Sequence, residues 1–562
     1  MEGRKGRVKE TEAGGAAEGT ATGKTQLTGA GDDVSDEPAL KEVQAFVCGI
    51  FREVFQLDRP VLLQDDFFAL GGDSIRGMQI LSAVHREGYT PHPSAIFLYP
   101  VAEEFAAVLW KTGKSSDDPA DTESLPGRGE EDERKTGIRE SLTQEEREAV
   151  IRMMPWEEVE AVYPFLPGLK NRFRVFGDRN WFSANLLFLY QEPDMESWKK
   201  RCRELVRKRQ MLRSLPVFPP RGEPFTVVRK AWEEDPFILD ISWMKNAKRQ
   251  RQHLRSFVRA FREEGFAEGT PAFRAGLVRI GPGRCMILLL YSHYILDADG
   301  VKCVAEDLAG SHTLTDDASQ VGSFHHRYAL ITGSSETGTY WDAYLEGVDG
   351  YTVLPFLAGH GTDEEMQMKN IRTGIGLEPL QAYGRKHHVT LAALVHAALG
   401  DALLSLTGFE KVCFISTGSG RNEFLTDDER LTGMFVVETP FVYRKNDTPE
   451  ICRDALLGHR QYNMFDFISL GERFTGNGTL PQVVRCNVIS SQIVSGAVPD
   501  QYFLDSYEDG YEDRYRGLEI FFITADRLYL NMTYNSRFIS GEGANRLKER
   551  FLMSLGTMIE SR

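Results

Sequence analysis

Apolar and polar positions follow different rhythms in different parts of the chain. Leu40, Val43, Val47, Ile50 and Val54 recur at helical spacing, which predicts a helix with one apolar face. A loop follows, carrying Pro60, Asp65-Asp66, Phe67-Phe68 and the run Leu70-Gly71-Gly72-Asp73-Ser74. Ile75, Met78, Leu81 and Val84 mark a second helix, and Val101, Phe105 and Val108, after Pro100, mark a third. Residues 38–111 are therefore expected to form a minimal all-α bundle. Residues 112–138, polar and acidic, are expected to be a flexible linker, and residues 1–37, without an aromatic residue, a disordered tail. From residue 139 onward the rhythm changes again, and strands and amphipathic helices alternate to the end. Met286 to Tyr291 is a continuous apolar run that predicts a buried strand, as does Val412 to Ile415, while Leu528 to Tyr534 alternates like a strand with one exposed face. This region is too long for one core, so two lobes are expected, at 139–325 and 326–562.

Charge narrows the partners. The formal balance of 66 basic and 82 acidic residues gives −16, unfavourable for a nucleic-acid backbone or an anionic membrane surface, so neither is expected as a partner. The seven cysteines show no CxxC and no ligand spacing, so no metal site is expected. Met286 to Tyr291 is too short to cross a bilayer, and the first thirty residues hold no apolar signal core. A cytoplasmic setting is the expectation.

Gly71-Gly72 can supply backbone angles that other residues resist, which places Ser74 at the head of a helix, where free amides and the helix dipole favour an attached phosphate. By itself that pattern says only that a helix starts. The string DDFFALGGDSIRGMQILSAVHREG, followed by IFLYPVAEEFAAVL, resembles the thiolation or peptidyl-carrier family throughout. The resemblance implies a 4′-phosphopantetheine arm on Ser74, with Gly71, Gly72, Asp73 and Ile75 as the carrier motif, and a phosphopantetheinyl transferase as a partner.

The apolar strand ends in Tyr291-Ser292-His293-Tyr294-Ile295-Leu296-Asp297-Ala298-Asp299-Gly300. A lone histidine at a strand end is usually structural. This stretch, however, resembles the condensation-domain signature HHxxxDG, with Ser292 in place of the first His, His293 and Asp297 matching, and Ala298 in place of the Gly. Further resemblances follow the family's order: Val162 to Pro167, Leu212-Arg213-Ser214, Thr417-Gly418-Ser419-Gly420-Arg421, Gly433-Met434-Phe435-Val436 with Pro440, and His459 to Phe465. The family's fold is α/β, two chloramphenicol-acetyltransferase-like lobes in a V. The resemblance thus implies a nonribosomal peptide synthetase carrier and condensation didomain, an acyltransferase that joins a carrier-bound acyl unit to an acceptor amine. It makes His293 the catalytic residue, as general base or as positioning group, and pairs Asp297 with Arg213 as support for the loop.

Other readings stand beside this one: a condensation-like acyltransferase using a diffusible amine or alcohol, a catalytically inactive recruitment platform, and, less favoured, an epimerase suggested by Ala358-Gly359-His360-Gly361. No adenylation-like or thioesterase-like segment is visible. A separate adenylation enzyme or upstream module is therefore expected to load the carrier, and a downstream acceptor carrier or a soluble amine to receive the product.

Overall fold

The computed structural model describes residues 37–72, 74–91, 95–114, 136–170, 182–189, 192–310, 313–332, 334–359, 366–421, 431–463, 465, 467, 474, 482–490, 516–524 and 526–560. Residues 1–36 of the expected tail and 115–135 of the expected linker lie outside these residues, while Glu37 opens the first helix of the bundle and Thr112 ends its last.

The helical unit contains α1 (Glu37–Val54), α2 (Ser74–Arg86), the single turn α3 (Ala95–Leu98) and α4 (Ala102–Thr112). Its core is an aromatic knot around Phe67, whose ring lies 5.8 Å from Phe55, 5.0 Å from Phe68 and 5.7 Å from Phe97. The Phe67 amide donates to Pro100 O at 2.7 Å, and Phe67 O accepts from Gly72 N at 2.8 Å. The loop before α2 is thereby pinned to the bundle at both ends.

The larger region begins with α5 (Gln144–Met153), whose Thr143 and Glu146 form a reciprocal cap. Strands β1 (Val159–Pro164), β3 (Ser214–Val217) and β4 (Phe225–Arg229) form a three-stranded sheet in the order β1-β4-β3. A four-stranded sheet follows the order β2-β7-β6-β5, from β2 (Phe182–Leu189), β5 (Phe237–Asp240), β6 (Phe273–Gly281) and β7 (Arg284–Ser292). The apolar run expected to be a buried strand is β7. It reads as unbroken because both of its faces are covered. Cys285, Ile287, Leu289 and Tyr291 pack on one side, in a core shared with α6 (Met195–Lys208), α8 (Ala298–Ala309) and α9 (Ala318–Thr332). Met286, Leu288 and Leu290 pack on the other, with α7 (Ala247–Glu264). The expected lobe boundary at 325/326 falls inside α9.

After α10 (Ser335–Tyr344), the second lobe is a six-stranded mixed sheet in the order β10-β9-β11-β12-β13-β8. Its strands are β8 (Met366–Gly376), β9 (Lys411–Ser419), β10 (Val436–Arg444), β11 (Val484–Ser490), β12 (Leu518–Thr524) and β13 (Arg527–Asn535). Helices α11 (Leu377–His387), α12 (Leu391–Thr407), α13 (Pro449–Gln461) and α14 (Gly541–Glu560) contribute to one large core with this sheet. The chain then crosses back: Leu431, Phe435 and Val437 belong to the core of the first lobe. The helical unit meets the second lobe at His388, whose ring lies 5.7 Å from that of Phe68, and at Leu457, which packs against the bundle's core.

All seven cysteines are free thiols and six of them are buried. Among the described residues no group of three or more potential ligands would hold a metal ion, and no single helix is long and apolar enough to cross a membrane.

Three histidines are buried in these cores. Burial pushes His325 down to about 3, where it stacks on Tyr163 at 4.4 Å. The same cause takes His396 down to about 4 and His459 down to about 3. In the unfolded chain each titrates near 6.5, so above that pH both states are neutral and stability is unaffected. As pH falls below about 6.5 the unfolded state takes up protons that the fold refuses, and stability drops toward the folded values. Asp317, pushed up to about 7 by burial, acts in the opposite sense between about 4 and 7. The net loss is two protons, or about 2–3 kcal/mol per pH unit between pH 6 and 5. The thermal midpoint is expected to fall from pH 7 to pH 5, and to fall less in His459→Phe. An equal fall in both proteins would remove His459 as a source of the effect.

Candidate functional site

Two places carry chemistry. In the bundle, Gly71 sits at φ +93° and a Cβ on Gly72 would meet the Phe67 ring at 2.4 Å, so this turn is closed to larger residues. The Arg76 guanidinium donates to Gly71 O at 2.6 Å, locking the turn against the first turn of α2. Ser74 is the first residue of α2, a helix of 13 residues, and so stands at the positive end of the helix dipole. Asp73 lies outside the described residues. The tight glycine turn and this helix start fit a phosphate-linked arm on Ser74.

In the larger region the end of β7 is the second place. Ser292 is fully buried, and its Oγ accepts from Tyr294 N at 3.2 Å. The Ser292 amide donates to Ala272 O at 2.9 Å, which continues the ladder with the neighbouring chain. Serine thus does a structural job at the position of the signature's first histidine. The next residue turns back on itself: His293 Nδ1 lies 2.9 Å from Leu296 O. A carbonyl can only accept, so Nδ1 carries a proton, and in the neutral ring the lone pair is then on Nε2. The ring stands edge-on to Tyr291 at 5.2 Å.

Asp297 closes the loop as the N-cap of α8, accepting from Gly300 N at 2.8 Å. Here the structure corrects the sequence expectation, because the partner of Asp297 is Arg421 and not Arg213. Arg421 Nη1 donates to Asp297 Oδ2 at 2.8 Å and Nη2 to Oδ1 at 2.7 Å. The Phe435 amide adds a fourth donor, at 2.8 Å to Oδ2, and Asp297 N donates to Gly433 O at 3.0 Å. Arg213 instead pairs with Glu160 on β1 and donates to Arg229 O on β4. The reason is positional. Arg213 ends the turn before β3 and faces the three-stranded sheet, whereas Arg421 and Phe435 flank the segment that crosses back from the second lobe. Burial alone would weaken the proton affinity of Arg421, but Asp297 and Asp299 outweigh it and hold the guanidinium charged.

The second departure from the signature also has a structural account. Ala298 opens α8, and the close backbone approach falls at Gly300, where a Cβ would meet Leu296 Cδ1 at 2.7 Å and Gly433 O at 3.0 Å. Beside the loop, Tyr294 stacks on Phe165 at 5.3 Å and meets Phe218 edge-on at 5.4 Å, with Met434 of the crossing segment in the same cluster. Sequence reasoning missed Arg421 as a functional residue, although it lies in the Thr417 to Arg421 segment whose resemblance was noted. A concavity of about 380 Å³ lies elsewhere, lined by Asp349, Tyr351, Lys411 and Val442 among others, and includes no residue of the His293 loop. Of the epimerase-like run, His360 and Gly361 lie outside the described residues.

Comparison with known proteins finds two families along the chain. The phosphopantetheine attachment site family matches residues 45–109, and the condensation domain family matches residues 176–452. Nonribosomal peptide synthetase gloA of Glarea lozoyensis is 23% identical over 420 residues, 74% of this chain and 6% of that protein. Nonribosomal peptide synthetase apmB of Penicillium brevicompactum is 23% identical over 79% of this chain and 18% of its own length. The chain therefore spans only a small part of these relatives. Among solved structures, the epimerization domain of tyrocidine synthetase B aligns with a TM-score of 0.56 at 15% identity, over 71% of this chain and 96% of that one. The condensation domain of the Monacolin K polyketide synthase MokA aligns at 0.55 and 15% identity, over 72% of this chain and 98% of that one. At such identities these structures speak for the fold.

The geometry makes the pairing testable by a double-mutant cycle on stability. Asp297→Asn leaves a buried cation without its carboxylate and is expected to cost about 3–5 kcal/mol, with strong coupling to Arg421→Ala and none to Arg213→Ala. Coupling to Arg213 in place of Arg421 would overturn the assignment. The chain thus carries a phosphopantetheine attachment domain followed by a condensation domain, and is similar over most of its length to nonribosomal peptide synthetases.

Proposed function

We propose that this chain holds an acyl or aminoacyl unit on Ser74 and condenses it with an acceptor amine at His293 to form an amide. The observation that carries this reading is the His293 ring, fixed by its Nδ1 contact to Leu296 O on a loop clamped by Asp297 and Arg421. When bound to Ser74, 4′-phosphopantetheine supplies a terminal thiol on which the acyl unit is held as a thioester, open to attack by an amine with loss of the thiol. The residues of this chain do the rest. Ser74 provides the attachment point, and the pinned loop before α2 orients it. His293 Nε2 receives the proton of the acceptor nitrogen as the C–N bond forms, and is placed to return it to the departing sulfur. The fixed loop also holds the reacting groups together, which lowers the entropic part of the barrier.

The structural role of Ser292 and the position of Gly300 support an active enzyme over a recruitment platform, since both departures from the signature leave the His293 loop intact. The partners in this reading are a phosphopantetheinyl transferase, a separate adenylation enzyme or upstream module that loads Ser74, and a downstream carrier or soluble amine as acceptor.

Incubation with coenzyme A and a phosphopantetheinyl transferase is expected to add one arm by intact-protein mass spectrometry, and Ser74→Ala to abolish the addition. With the carrier loaded and an amine supplied, His293→Ala is expected to fold and load normally yet form product about 10²–10⁴-fold more slowly. Mass addition that persists in Ser74→Ala would remove the carrier assignment, and wild-type turnover by His293→Ala would remove the histidine's role.

A further inference from the structure

The contact between the carrier and the second lobe is small and specific in its parts. On α13, Ala455 and Leu456 pack into the core of their own lobe, but the next residue, Leu457, packs against the carrier's core. At the end of α11 two adjacent histidines take different directions. His387 stacks on Tyr383 at 4.1 Å and reaches Glu450 at 3.2 Å. His388, at φ +53°, turns to the carrier, with its carbonyl held by Arg453 at 2.9 Å. Its ring lies 5.7 Å from Phe68, and its Nδ1 lies 3.8 Å from Asp66 Oδ2. Asp66 and Phe68 belong to the loop that leads into Gly71-Gly72, so the second lobe touches the segment that positions Ser74.

The place of this contact in the lobe decides its meaning. Strands β9 and β10 are nine residues long and pair along their whole length, from Ser419 and Val436 at one end to Lys411 and Arg444 at the other. Arg421 and Phe435, which hold Asp297, lie just beyond the first end. Helix α13 starts five residues beyond Arg444, from the opposite end, and Glu450 and Arg453 in its first two turns are the ones that hold His387 and His388. A nine-residue strand spans about 30 Å. Helices α11 and α13 pack on the sheet face that carries Val412, Phe414, Phe441 and Tyr443, whereas the His293 loop meets the lobe just beyond the strand ends.

We propose that helices α11 and α13 form a resting dock for the carrier, away from the reaction centre, which the carrier must leave to deliver its acyl unit to His293. This rests on the reading of His293 and Ser74 given above. Among the described residues, one apolar side chain and a histidine that is 48% exposed make this contact, which is weak, as suits a position vacated in every cycle. The dock also competes with delivery, so loosening it speeds transfer wherever carrier movement limits the rate.

The test uses the full-length phosphopantetheinylated chain with non-thiol spin labels at the exposed positions Leu62 of the carrier and Met553 of α14. Pulsed electron resonance is expected to give one narrow distance population. Leu457→Asp is expected to broaden it, as is His388→Asp, where aspartate tolerates the left-handed backbone and faces Asp66 with like charge. Neither variant alters a carrier residue, so the rate of arm attachment to Ser74 is expected to stay at the wild-type value. Single-turnover transfer from the loaded carrier is expected to rise at least two-fold. A broad distribution in the wild type, or slower transfer in both variants, would overturn the proposal, the latter by making this contact the delivery site. The distance measurement needs no acyl transfer. Broadening in variants of a protein that forms no product would therefore leave the dock standing and fail only the proposed reaction.

Discussion

The His293 loop depends on one buried carboxylate. Asp297 is 1% exposed, and its two oxygens accept four hydrogen bonds, two from Arg421 and one each from the amides of Gly300 and Phe435. A charge taken out of water is tolerable only when it is paired and its lone pairs are filled, and both conditions hold here. The consequence is architectural. Asp297 caps the helix after the His293 loop in the first lobe, while Arg421 and Phe435 belong to the segment that returns from the second. The position of the imidazole is therefore set by both lobes together.

The rest of the site follows from that clamp. Because Asp297 N reaches Gly433 O, the loop and the crossing segment run close together, and only glycine fits at residue 300. The close backbone approach thus falls two positions after Ala298, at Gly300. Upstream, the hydroxyl of Ser292 holds the turn through the Tyr294 amide, and the histidine that usually stands there is not needed for the loop's shape. The carrier is organised on the same economy of short range: a glycine turn pinned to Phe67 sets the start of the helix at Ser74.

What could be read from the sequence was what depends on neighbours along the chain. The run Met286 to Tyr291 declared itself because a strand covered on both faces must be apolar at every position. The glycine turn and Ser74 were legible because the turn, the helix start and the bundle all lie within one short segment. The partner of Asp297 was not, since Arg421 lies 124 residues away and Arg213 has the same chemistry in a plausible place. Only the fold shows that Arg213 faces Glu160. Leu457 was hidden for a related reason: on an amphipathic helix it reads as one more core residue, and nothing local says that its core belongs to another domain.

The central claim is that a clamp built from both lobes fixes the His293 ring with its proton on Nδ1. Nitrogen NMR of selectively labelled histidine, with His293 assigned by substitution, reads the tautomer directly. With the ring neutral, the wild-type protein is expected to show His293 as the Nδ1–H form, and Arg421→Ala to show a mixture of both tautomers as the loop loses its anchor. An Nε2–H ring in the wild type, or an Nδ1–H ring that persists unchanged in Arg421→Ala, would contradict the account.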